Sequence, residues 1–125
     1  DTKKAMFEHK DSVMWELCGG DPENADGKTA FSAAKAGDEA GQTVVKNYIV
    51  YLGEGILNLV SIFRPEAVIL GGGVCNEGEY LLAPLRKYVA ERLYVGCDKV
   101  PLTLNRAALG NDAGIYGALA CAMEK

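Results

Sequence analysis

Histidine is nearly missing from this chain: His9 is the single one. The four cysteines, Cys18, Cys75, Cys97 and Cys121, form no Cys-x-x-Cys pair. A zinc site needs three or four ligands at close range, so this spacing supports no metal framework. It supports no disulfide framework either, and indicates reduced, mostly buried thiols in a cytoplasmic protein. Basic clusters are equally scarce. No run exceeds Lys3-Lys4, aromatics do not interleave with basic residues, and the net charge is −4. These features argue against a nucleic-acid or anionic-membrane surface. No signal-peptide pattern follows Asp1, and neither an internal repeat nor a low-complexity tract is present. The longest apolar stretch, Val44–Phe63, carries Lys46, Asn47, Glu54 and Asn58 inside it. Central charge is costly in a bilayer, so a buried helix is expected there rather than a membrane span.

What remains is a globular composition, 49% apolar and 24% charged over 125 residues, enough for one domain at most. Residues 3–17 read as helical, with a break near Asp11-Ser12. Asp-Pro, Asn and Asp-Gly make a loop of residues 21–28. Thr29 is positioned to cap a helix through Ala36, and Asp38 to cap the next. In that next helix Val45, Tyr48, Ile49, Leu52, Ile56, Leu59, Val60 and Phe63 recur at steps of three and four, giving one broad apolar face. Gly53 and Gly55 inside it imply close packing against another backbone. Arg64-Pro65 stops the helix. A strand Ala67–Leu70 follows, then Gly71-Gly72-Gly73, then a helix from about Gly78 to Tyr94 with Pro84 near its first turns. Val95–Lys99 reads as a loop, Val100–Arg106 as a second strand, and Ala113 to about Met123 as a last helix. This order implies a parallel βαβ unit with flanking helices. Val68, Ile69 and Leu70 form a continuous apolar run, as in a strand covered on both faces. Two parallel strands rarely make a stable sheet alone, so the strands must find further cover.

Three consecutive glycines at a strand-to-helix corner fit no standard phosphate loop. A dinucleotide pattern starting at Gly71 needs glycine at 76, where Asn76 stands. A P-loop counted from Gly73 reaches Gly78 but continues Glu79-Tyr80. No lysine or arginine occurs between Gly71 and Leu85 to meet a γ-phosphate. Two readings stay open. The corner is a bare backbone surface at the carboxyl end of a buried strand, where open α/β sheets bind ligands. Alternatively, it is a tight turn that needs positive φ or close helix–strand contact.

The stretches RPEAVILGGGVCNEGEYLLAPLRKYV and VPLTLNRAALGNDAGIYGALACAME resemble the C-terminal end of ROK-family sugar kinases (repressor, open reading frame, kinase). Upstream, ELCGGDPENADGKTAFSAAKAGDEAGQTVVKNYIVYLGEGILNLVSIF is similar to the bacterial glucokinases of that family. The resemblance spans essentially the whole chain. It implies an α/β fold: part of the large C-terminal lobe of an actin-like ATPase (ribonuclease H-like) fold. Residues 1–64 would be a helical segment and residues 65–125 the nucleotide-side βαβ unit plus the last helix. It implies ATP with Mg2+ as cofactor, Gly71, Gly72 and Gly73 as nucleotide contacts, and Asn76 and Glu79 nearby. The implied partners are a small-molecule sugar and the nucleotide, with no membrane and no nucleic acid. The chain is expected to form a homo-oligomer or to associate with the rest of a parent chain.

The resemblance also defines what this stretch does not carry. The family's Asp-x-Gly-Gly-Thr phosphate loop, its catalytic Asn-Asp segment, its Glu-x-Gly-His sugar motif and its Cys-rich zinc motif have no counterpart here. Asp112 belongs to the Asn-Asp-Ala-Gly turn and is expected to cap the last helix, not to act as the base, so no catalytic residue is assigned. The implied parent reaction moves the γ-phosphoryl of Mg-ATP to a sugar hydroxyl, the 6-hydroxyl of glucose first among candidates. A ROK repressor's sugar-sensing lobe, or a kinase for N-acetylmannosamine or fructose, is the alternative.

Overall fold

In the computed structural model, which describes residues 1–93 and 102–123, the chain divides into two units, Asp1–Leu52 and Gly53–Lys125. The helix end at Tyr94, the loop Val95–Lys99 with Cys97, and the strand positions Val100 and Pro101 lie outside the described residues. Among those described, no helix is long and apolar enough to cross a membrane.

The first unit contains α1 (Thr2–Glu8), α2 (Met14–Leu17), α3 (Gly27–Lys35) and the start of α4 (Glu39–Phe63). The helix expected over residues 3–17 is interrupted for longer than its sequence suggests. Asp38 causes this: its carboxylate accepts from Ser12 Oγ at 2.9 Å, from Val13 N–H at 3.1 Å and from Gly41 N–H at 2.7 Å. One side chain thus caps α4 and holds the turn that leads into α2. Burial works against ionisation of Asp38. The donors from Gly41, Val13 and Ser12, with the charge of His9, outweigh it and hold the carboxyl below its usual range. At α3 the cap is Asp26, not Thr29. Asp26 accepts from Thr29 N–H at 2.8 Å while Thr29 Oγ1 accepts from Asp26 N–H at 3.1 Å, a reciprocal capping box. Met6 and Met14 are fully buried, with Phe31, Ala33 and Ala34 in the same core. Phe31 meets Tyr48 edge to face at 6.0 Å. A β-carbon on Gly41 would stand 2.7 Å from Ala34 N, so this glycine permits α3 and α4 to cross closely.

The second unit runs from the later part of α4 through β1 (Ala67–Leu70), α5 (Glu79–Arg92), β2 (Thr103–Arg106) and α6 (Ala113–Met123). The two strands are parallel, in register Ala67↔Thr103 through Leu70↔Arg106. Leu81, Leu82, Leu85 and Val89 of α5 are buried, as are Ile56, Val60 and Leu104. Pro84 lies inside α5, beyond its first turn, so the helix runs through proline at the loss of one backbone hydrogen bond. Several expectations about apolar cover change here. Leu59 and Phe63, expected on the buried face of α4, are exposed. Ile69 is 59% exposed, so β1 is not covered on both faces by the described residues. Gly53 meets the Tyr88 ring rather than a backbone, and Gly55 faces open space. Arg64 ends α4 with φ of 47°, a left-handed conformation unusual for a residue that precedes proline.

Candidate functional site

Both strands point their carboxyl ends at one corner. After Leu70 the chain passes through Gly71 and Gly72 into a single 3-10 turn, Gly73–Glu77, and enters α5 through Gly78. After Arg106 it passes Ala107 into a second 3-10 turn, Gly110–Asp112, before α6. The two turns lie side by side. Ala107 N–H donates to Leu70 carbonyl at 2.7 Å, which extends the pairing one step past the end of β2.

The corner is built on Cys75. Its side chain is buried, its thiol donates to the Gly71 carbonyl at 3.2 Å, and its N–H donates to the Gly72 carbonyl at 3.1 Å. Burial pushes the thiol pKa up, and the nearby Arg106 charge only partly offsets this. A protonated, buried thiol is a brace and not a nucleophile. Cys18 is also buried, whereas Cys121 is exposed, so two of the three described thiols are buried.

Positive φ accounts for only part of the glycine content. Gly72 has φ of 88° and Gly78 of 60°, conformations that side chains resist. Gly71 and Gly73 have ordinary φ, and a β-carbon on either would meet nothing within 4 Å. Neither backbone conformation nor packing among the described residues therefore requires glycine at 71 or 73. The surface over them is open and free of side chains.

The other expected site residues are placed as follows. Asn76 is exposed on the 3-10 turn. Glu79, the first residue of α5, is held by Arg86, whose Nη1 donates to Glu79 Oε2 at 2.8 Å. The same guanidinium donates from Nε to the Leu104 carbonyl at 2.9 Å and from Nη2 to Asn105 Oδ1 at 3.0 Å. Arg86 was not among the residues expected from sequence. Its spacing of seven from Glu79, two turns along one helix face, is the signal that could have pointed to it. Asp112 closes the second 3-10 turn directly before α6. Among the described residues no group of three or more His, Cys, Asp or Glu gathers as a metal ion would need.

The ROK family model matches residues 9–125. A glucokinase from Thermotoga maritima is 34% identical over 126 residues, covering 98% of this chain and 38% of its own length. A crystal structure of a ROK family glucokinase from Streptomyces griseus, in complex with glucose and AMPPNP, superposes with a TM-score of 0.80 at 31% identity, covering 96% of this chain and 39% of that one. A xylose repressor from Caldicellulosiruptor bescii is 34% identical over 65 residues, covering 52% of this chain and 16% of its own length. This chain thus spans well under half the length of the relatives it matches.

Proposed function

The chain belongs to the ROK family and has part of that family's actin-like ATPase fold, and from this premise we propose that it forms the nucleotide-side part of an ATP-dependent sugar kinase. The carrying observation is the open glycine surface: Gly71 and Gly73 lack side chains that the fold itself would accept. A flat, polar ligand can approach such a backbone more closely than any side chain would allow. The position, beyond the carboxyl ends of β1 and β2, is where open α/β sheets take their ligands. In this reading Gly71, Gly72 and Gly73 contact the nucleotide, with Asn76 and Glu79 at its margin. Mg2+ accompanies the triphosphate; among the described residues no carboxylate cluster gathers to hold it. The transferred group is the γ-phosphoryl and the acceptor is a sugar hydroxyl, the 6-hydroxyl of glucose, in the cytoplasm. The base and the sugar contacts come from outside these residues.

The kinship with glucokinases favours glucose; the kinship with a xylose repressor favours, as a second reading, a sugar-sensing lobe without phosphoryl transfer. The intact protein decides between them. Calorimetry with ATP and glucose, alongside a coupled assay of glucose phosphorylation, should show binding of both and turnover. Sugar binding with neither ATP binding nor turnover would establish the second reading.

A further inference from the structure

Arg86 makes three hydrogen bonds to three groups on two elements, and all three groups border the corner. Glu79 starts the helix that leaves the glycine turn. Leu104 and Asn105 lie in the last three residues of β2, the strand that leads into the Gly110 turn. Thr103 N–H donates to the carbonyl of Glu66, just before β1, and Ala107 N–H to that of Leu70 at its end, so the alternate residue Leu104 presents its carbonyl on the opposite edge of β2. Arg86 takes that carbonyl with Nε, leaving its two terminal nitrogens for the side chains. A guanidinium is a rigid planar fork, so three simultaneous acceptors fix its plane and, through it, the spacing of the groups it holds.

We propose that Arg86 is a positioning residue for the nucleotide site. By joining the start of α5 to the end of β2 it sets the separation between the Gly71–Gly73 surface and the Gly110 turn, the two walls that face the ligand. It also neutralises Glu79, whose carboxylate would otherwise stand unpaired beside a triphosphate and repel it. The inference rests on the nucleotide reading above and deepens it. The competing role is simpler: Arg86 covers the edge of β2 that is unpaired among the described residues and contributes only to stability. The two roles separate by ligand. A stability role weakens nucleotide and sugar binding alike, whereas a positioning role acts on the nucleotide.

The test uses the intact protein with Arg86→Gln and Arg86→Lys, titrated calorimetrically with ATP and with glucose. Arg86→Lys keeps the charge but not the fork, and carries the test if Arg86→Gln does not fold. Loss of a charge-assisted network of this kind should raise the Kd for ATP about tenfold in either variant. The Kd for glucose should stay within about twofold. Equal losses for the two ligands, or an ATP affinity within about twofold of the unmodified protein in both variants, would overturn the inference. If the unmodified protein binds no ATP, the nucleotide reading fails and this inference fails with it. If it binds ATP and the variants bind equally well, only this inference fails.

Discussion

The ring of Tyr88 rests on Gly53: a β-carbon built on that glycine would overlap Cδ1 and stand 2.8 Å from Cε1. The ring cannot swing aside freely. Its hydroxyl donates to Glu54 Oε1 at 2.7 Å, and the Arg92 guanidinium stacks 3.8 Å from its centroid. Gly53→Ala should therefore destabilise the protein by about 1–3 kcal/mol in urea denaturation, the usual range for overpacking. Gly55 lies on the same helix with nothing within 4 Å of its β-carbon position, so Gly55→Ala should stabilise by up to about 1 kcal/mol. Removal of the ring by Tyr88→Ala should turn the Gly53→Ala effect from a loss into a gain. Equal effects of the two glycine substitutions would contradict the packing described.

The glycine corner makes a second pair of predictions. Gly71→Ala and Gly73→Ala meet neither backbone strain nor a steric neighbour, so stability should change by less than about 0.5 kcal/mol. ATP binding should weaken several-fold, because the methyl group enters the surface assigned to the nucleotide. Gly72→Val should weaken ATP binding and lower the melting temperature together, since φ of 88° disfavours any side chain. Unchanged ATP affinity in both alanine variants would remove the main support for a ligand at this corner.

Asp38 makes the first unit sensitive to acid. Its folded-state pKa lies below the unfolded value, so its contribution is complete above the usual carboxylate range and fades as pH falls through the depressed value. Stability followed by the fluorescence of Trp15, the sole tryptophan of the chain, should be flat above about pH 5 and decline below about pH 4. Asp38→Asn should flatten that decline. Asp38→Ala, which leaves Val13 and Gly41 N–H without their acceptor, should cost about 1–3 kcal/mol at neutral pH. A decline in the asparagine variant as steep as in the unmodified chain would assign the acid sensitivity elsewhere.

Exposed apolar surface sets the solution behaviour of the 125-residue chain. On α6, Ile115 is 71% exposed and Met123 75%, and Tyr116 and Leu119 are both more than half exposed. The purified chain should self-associate at low micromolar concentration by light scattering. Ile115→Glu with Leu119→Lys, an i,i+4 pair on this helix, should reduce that association. A strictly monomeric parent chain would show that this surface is not sticky enough to matter.

Local signals made some elements readable from sequence and tertiary ones hid others. Ala67–Leu70 is bounded by Pro65 and Gly71, so both ends of β1 follow from neighbouring residues. The same holds for α6, which starts after the Gly110–Asp112 turn. The break between α1 and α2 depends on Asp38, a partner 26 residues beyond Ser12, and no window around Ser12 contains it. Asp26 and Thr29 are both good capping residues; the box uses both, and composition does not say which one starts the helix. The glycine corner was readable because no side chain has to be placed there. Arg86 was not, because two of its three acceptors lie on a strand whose proximity to α5 exists only in the folded unit. Gly53 announced a close neighbour without revealing that the neighbour is a ring.

The parallel register of the strands has a consequence for synthesis. Ala67 pairs with Thr103, about 36 residues later, and at typical elongation rates of about 5–20 residues per second its partner emerges about 2–7 s after it. During that interval Val68, Ile69 and Leu70 lack their pairing with β2, while the helical residues of α5 can form within microseconds. Helices α4 and α5 are thus both available before β2 arrives. A pause of the ribosome between Arg92 and Thr103 would prolong the exposure of β1 and recruit chaperones to it.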